Sequence, residues 1–106
     1  MADFSIDISE DGPRCVLALT GGVDLAAGDQ LIATAVRSAT ETDASCLVID
    51  FAAVSFIDSA GLGALAEIRD AVNRIGKYVA LWNVSGQVRG LLATSTLDQV
   101  FPVYRL

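Results

Sequence analysis

Leu47-Val48-Ile49-Asp50-Phe51-Ala52-Ala53-Val54-Ser55-Phe56-Ile57-Asp58-Ser59-Ala60-Gly61-Leu62-Gly63 is the stretch on which the fold turns. Its opening, Cys46 to Phe51, is a continuous apolar run of strand length, the pattern of a strand buried on both faces. A loop follows. Asp58-Ser59 then opens a helix that runs to near Ile75, with Leu62, Leu65, Ile68, Val72 and Ile75 recurring at steps of three and four. Glu67, Arg69, Asp70, Asn73 and Arg74 fall off that stripe, and Asp70 and Arg74 are spaced for an i, i+4 ion pair. Gly76 is placed to end the helix.

Toward the C-terminus, Tyr78 to Asn83 reads as a further strand. Ser85 caps a short helix carrying Val88, Leu91 and Leu92. Val100 to Tyr104 is a last short strand, which Pro102 confines to an edge or a strand end. Toward the N-terminus, Phe4, Ile6 and Ile8 alternate with polar residues as in a half-exposed strand. Asp11-Gly12-Pro13 is a turn, and Cys15 to Thr20 completes an antiparallel hairpin. Gly21-Gly22 breaks that strand. Asp24 caps a helix to about Ala39, with Leu25, Leu31 or Ile32, Ala35, Val36 and Ala39 facing inward, although Gly28 weakens its start. Glu41-Thr42-Asp43 is a polar loop. The order β-β-α-β-α-β-α-β is that of an α/β fold: one small domain, 1–106, with a central mostly parallel (mixed) sheet of about five strands flanked by α-helices. The strand order is not readable from this pattern. Phe51, Phe56, Trp82 and Phe101 are assigned to packing.

Composition narrows the function. A length of 106 residues is one domain, and a 53% hydrophobic content is ample for its core. The net charge of −6 opposes binding to nucleic acid or anionic membrane and suits protein partners. No His is present, which removes the usual general base and the commonest metal ligand. Cys15 and Cys46 form no metal pattern and read as two buried thiols. No apolar run reaches the roughly eighteen residues of a membrane span. Met1-Ala2-Asp3 is acidic, unlike a signal peptide, so a cytoplasmic protein is expected. A monomer is the default without a large exposed apolar helix face. The close at Tyr104-Arg105-Leu106, without a linker, favours a stand-alone protein.

Chemistry concentrates where strands meet helices. At Asp58-Ser59 the plain reading is an N-cap: one of the two side chains accepts a free backbone N–H. Gly61 and Gly63 disfavour helix by about 1 kcal/mol each. They leave the helix end bare to a partner's surface or to a phosphate. A hydroxyl there is a good phosphate site, because free N–H groups and the helix dipole favour negative charge. Gly21-Gly22-Val23-Asp24 reads locally as a tight connection plus an N-cap. The carboxyl ends of parallel strands gather on one edge, so Asp24 and Ser59 are expected as neighbours, with Ser85-Gly86 the third loop there. Neither a dinucleotide fingerprint nor a P-loop is present. Ser59 has no His to activate it, which excludes a Ser-His-Asp hydrolase. Asp24, Asp50 and Asp58 could hold Mg²⁺ as in a response-regulator receiver, but Asp50 lies inside an apolar strand and no Lys follows usefully. No enzymatic activity is expected.

The chain resembles the STAS domain, in particular the small bacterial anti-sigma-factor antagonists, from about Asp3 to Tyr104. The carrying residues are Leu47 to Phe51 and then Val54-Ser55-Phe56-Ile57-Asp58-Ser59-Ala60-Gly61-Leu62-Gly63. In that family an apolar strand followed by Asp-Ser-(Ser or Ala)-Gly-Leu-Gly marks a phosphorylation switch, and the phosphoacceptor falls on Ser59. The resemblance implies that Gly21, Gly22, Asp24, Asp58, Ser59, Ala60, Gly61, Leu62 and Ser85 meet a partner. That partner is an anti-sigma factor with serine kinase activity, bound by the unphosphorylated form so that the sigma factor is freed. A serine phosphatase resets the switch. ATP belongs to the kinase, so no cofactor is expected here. Two departures stand out: the family's Gly-Glu-Leu-Asp loop reads Gly21-Gly22-Val23-Asp24, losing the Glu, and Ser95-Thr96-Leu97 lacks a Gly. The alternative within the family is a scaffold or regulatory subunit, as in a lipid-transport ABC complex or a stress-sensing assembly.

Overall fold

Alternate residues of the strands are buried against helices, and the strand order explains why. The computed structural model describes residues 4–104. It holds β1 (Ser5–Asp11), β2 (Arg14–Val23), α1 (Leu25–Glu41), β3 (Cys46–Ile57), α2 (Ser59–Arg74), β4 (Tyr78–Trp82), α3 (Gly86–Thr94), a 3-10 turn (Leu97–Gln99) and β5 (Val103–Tyr104). The sheet order is β1-β2-β3-β4-β5, antiparallel between β1 and β2 and parallel in the other three pairs. Three successive parallel neighbours joined by right-handed crossovers place every crossover helix on one face. The α/β class and the five-strand mixed sheet therefore agree with the sequence reading, with the helices on one side only.

Cys15, Leu17 and Leu19 of β2, Leu47, Ile49 and Phe51 of β3, and Val79 and Leu81 of β4 face that side. They pack with Leu31 and Ala35 of α1, Leu65, Ile68 and Val72 of α2, and Val88 and Leu92 of α3. Val16, Val48, Ala80 and Trp82 point to the opposite face and form a second, smaller apolar cluster there. Trp82 packs as expected.

Several local expectations are corrected. Gly21-Gly22 does not end β2. The strand bends at Gly21, whose φ of +98° glycine adopts without penalty, and continues to Val23. The stretch Ala52 to Ile57, read as a loop, continues β3. β3 carries an extra residue between Asp50 and Ala53 and another between Val54 and Phe56, relative to β2. Leu25, expected inward, is 66% exposed, because it is the first residue of α1 and lies at the mouth of a groove between α1 and α2. Ile75 is the C-cap of α2 and is exposed, as is Phe56, and Leu91 is only partly covered. Cys46 is half-buried. Asp70 pairs with Arg69 at 3.7 Å in place of Arg74. Val100 precedes β5, whose ladder is two residues long. Gly76 ends α2 in the left-handed region (φ +79°), as read. The readings on Met1-Ala2-Asp3 and Arg105-Leu106 lie outside the described residues.

Lys77 closes the far end of α1. Its ammonium donates to the Ala39 and Thr42 carbonyl oxygens, both at 2.6 Å. Free carbonyls and the negative end of the helix dipole meet a cation there. Lys77→Met is expected to lower stability by about 1–3 kcal/mol, read as a lower urea midpoint at unchanged slope. An unchanged midpoint would show that water satisfies those carbonyls equally well.

Burial, helped by the Glu10 carboxylate, raises the Cys15 thiol above its ordinary 9.0. Burial raises Cys46 as well, against the pull of the Arg14 cation. As pH rises the unfolded chain therefore loses these protons first. Their contribution is full below the ordinary value of 9.0 and is lost as pH climbs through the raised folded values. Urea midpoints of the wild type should fall between about pH 8 and pH 10 more steeply than those of Cys15→Ala/Cys46→Ala. Parallel curves would remove the thiols as the cause.

Candidate functional site

Two strands end side by side and each hands over to a helix through an aspartate. Val23 of β2 pairs with Ile57 of β3, so Asp24 and Asp58 leave the sheet as neighbours. The Asp58 N–H donates to the Val23 carbonyl at 3.2 Å, which ties the two exits together. Asp24 Oδ1 accepts the Ala27 N–H and Asp58 Oδ1 accepts the Gly61 N–H, each at 3.0 Å. Both are N-caps in extended conformation. Asp58 is thus the cap, and Ser59 is the first helical residue of α2, with its side chain exposed.

The glycines set how closely the parts approach. A Cβ on Gly61 would lie 2.5 Å from both Ile57 Cγ1 and the Val23 oxygen, so only glycine lets the first turn of α2 rest on the end of β2. A Cβ on Gly28 would lie 3.1 Å from Ala64 Cβ, and this close approach brings α1 and α2 together. Gly63 faces open space. A groove of about 280 Å³ runs between the two helices from Leu25 and Ala60 to Asp29 and Glu67. Among the described residues, no ion pair reaches Asp24, Asp29, Asp58 or Glu67.

Gly21, Gly22, Asp24 and Asp58 to Leu62 come together at this one corner. Ser85 does not join them. It caps α3 by accepting the Val88 N–H at 3.2 Å, after β4 has ended at Trp82 beside Asp50. β3 runs seven residues further to reach Ile57, on the order of 20 Å of strand. At this corner the sequence reading put Phe56 in a loop and assigned it to packing, whereas it lies in β3 and is exposed. Its ring covers Gly22, and any Cβ at position 22 would overlap it. The available signal was the run Val54-Ser55-Phe56-Ile57, which is rich in β-formers. Asp50 supports this extension. Its Oδ1 accepts the Ala52 N–H at the first extra residue, at 2.9 Å, and Asn83 Nδ2 at 3.1 Å.

Among the described residues, no group of three or more Cys, Asp or Glu could hold a metal ion, and no helix is long and apolar enough to cross a membrane.

The two glycines of the first turn should respond oppositely. Gly61→Ala is expected to destabilise by about 1–3 kcal/mol through overlap, and Gly63→Ala to stabilise by about 0.5–1 kcal/mol through helix propensity. Urea denaturation measures both. Shifts of the same sign would contradict the packing described for Gly61.

Comparison with known proteins agrees with this architecture. The family model for the STAS domain matches residues 5–105. A STAS-domain containing protein of Pseudomonas aeruginosa (strain UCBPP-PA14) is 30% identical over 98 residues, covering 90% of this chain and 92% of that protein. The anti-sigma factor antagonist SpoIIAA in its unphosphorylated form superposes with TM-score 0.77 at 22% identity, covering 95% of this chain and 87% of that one. An anti-sigma factor antagonist from Mycobacterium paratuberculosis gives TM-score 0.81 at 23% identity, over 96% and 86%. A sulfate transporter family protein from Wolinella succinogenes gives 0.76 at 20%, over 87% and 76%. The chain belongs to the STAS domain family.

Proposed function

We propose that this chain is an anti-sigma-factor antagonist, a binding switch without catalysis of its own. In its unphosphorylated form it holds an anti-sigma factor that is also a serine kinase, and so frees a sigma factor. Phosphorylation of Ser59 ends that complex, and a serine phosphatase restores it. The observation that carries this reading is the placement of Ser59: exposed, first in α2, beside two capped helix starts and a groove. The likeness to antagonists of the same fold supports it. Gly21, Gly22, Asp24, Asp58, Ala60, Gly61 and Leu62 form the contact surface around Ser59, and Ser85 contributes only if the partner reaches along β3.

The physics favours a local switch. A phosphate on Ser59 adds about −1.5 to −2 charge. Inside this protein the first N–H groups of α2 donate to the phosphate oxygens, so the phosphorylated domain stays folded. In a desolvated interface the same charge meets Asp24, Asp58, Asp29 and Glu67, and any partner surface suited to those carboxylates must rearrange. Each tenfold loss in affinity needs only about 1.4 kcal/mol.

The test is intact mass and site mapping after incubation with Mg-ATP and each anti-sigma serine kinase encoded in the source genome, with Ser59→Ala in parallel. A single phosphate at Ser59, absent in the variant and abolishing kinase binding, is the expected result. Backbone amide NMR shifts far from Ser59 should match in the two forms, and widespread changes would sink the local mechanism. The likeness to a sulfate transporter family protein favours a second reading, a scaffold or regulatory subunit. No phosphate with any kinase, together with stable binding to a transporter subunit, would establish that reading instead.

A further inference from the structure

The helix-free face of the sheet is laid out by register in three rows. Arg14, Cys46 and Tyr78 are neighbours across β2, β3 and β4. Val16, Val48 and Ala80 form the next row, and Ala18, Asp50, Trp82 and Tyr104 the third. Successive rows are two residues apart, roughly 7 Å along the strands. Arg14 and Tyr78 in the first row and Trp82 and Tyr104 in the third are long, while the middle row is short, so a cleft opens between them. The Arg14 guanidinium lies 5.4 Å from the centre of the Trp82 ring. Val48 packs with Val16, Ala80 and Trp82 and is 1% exposed, although no helix covers it. Ala80 is left as floor between Tyr78 and Tyr104, which stand 69% and 56% exposed. The cleft measures about 500 Å³, within the range of sites for small organic molecules.

Its lining selects a chemistry. Tyr78 and Tyr104 offer aromatic faces to a flat ring, and Trp82, 8% exposed beneath Arg14, adds its uncovered edge. Among the described residues, Arg14 is the cation lining the cleft, and its own partner is weakly held: Asp11 is 3.5 Å away and both side chains are substantially exposed. Oδ1 of the nearby Asp50 accepts the Ala52 N–H and Asn83 Nδ2. The positive charge of Arg14 reaches the cleft wall, where it opposes the effect of burial on the Cys46 thiol. We propose that this cleft binds a planar aromatic carboxylate, its ring over Ala80 between Tyr78 and Tyr104 and beside the edge of Trp82, and its carboxylate paired to Arg14 in place of Asp11. A guanidinium fork matches a carboxylate in two parallel hydrogen bonds while still stacking on an indole. The cleft lies on the sheet face opposite α1 and α2, so the site is independent of Ser59.

Trp82 is the sole tryptophan of the chain, so its indole N–H gives one NMR peak that reports on this cleft. The probes are 1-naphthoate and its neutral isostere naphthalene-1-carboxamide. Naphthoate should shift that peak saturably and bind at least about tenfold more tightly than the amide. Arg14→Gln should bring naphthoate down to the affinity of the amide while leaving amide binding unchanged, which also shows that the cleft persists in the variant. Ser59→Ala should bind as the wild type does. Absence of any shift up to about 1 mM naphthoate would overturn the proposal, as would equal affinity for the two probes or an Arg14→Gln variant that binds naphthoate normally. An indole peak that moves with protein concentration alone would also overturn it, by marking this face as a contact between copies.

Discussion

The parallel pairing of β2 with β3 beyond the reach of β4 is the constraint from which the candidate site follows. Val23 and Ile57 end their strands in register, and the Asp58 N–H bonds back to Val23. Two helix N-termini therefore start next to each other, each with a capping carboxylate. Gly61 and Gly28 then allow α2 to rest on the strand end and α1 to lie against α2. Without the added length of β3, Ser59 would emerge at the level of Trp82, among the other loops, and no groove would flank it.

Much of this was legible in the sequence, because the strong signals are local. The 3.6-residue stripe of α2, the caps Asp24 and Ser85, the α2 cap at Asp58 or Ser59, the stop at Gly76 and the apolar run Cys46 to Phe51 all specify their own elements. The α/β class follows from their alternation. What was not legible depends on partners distant in the chain. Ala52 to Ile57 is a strand only because β2 bends at Gly21 and keeps pairing with it across two extra residues. Its side-chain alternation is scrambled by those residues, so the period-2 signal fails there. Leu25 and Ile75 fit the periodic stripes but fall at helix ends, where the stripe no longer faces the sheet. The position of Ser85 relative to Ser59 required the relative lengths of β3 and β4. One-sided placement of the helices required the strand order.

Gly22 and Phe56 show how a departure from a family pattern is absorbed. The resemblance expects Glu at position 22. Here the Phe56 ring occupies the space that any side chain at 22 would need. The two positions are therefore a unit, and restoring the Glu alone would displace an aromatic ring on the same surface. The corner near Ser59 presents a half-exposed ring where a carboxylate was expected, with the remaining negative charge carried by Asp24, Asp29, Asp58 and Glu67.

The sequential strand order has a consequence for how the chain acquires its structure. Every strand after β1 pairs with the strand that left the ribosome immediately before it. Each closure spans one turn or one helix, so no segment waits for a distant partner and loop-closure entropy grows slowly along the chain. Such a sheet can be built by accretion during synthesis, from the β1–β2 hairpin outward, with the short β5 added last. The large ladder between β2 and β3, which bears the site, draws its pairing on no residue beyond Ile57.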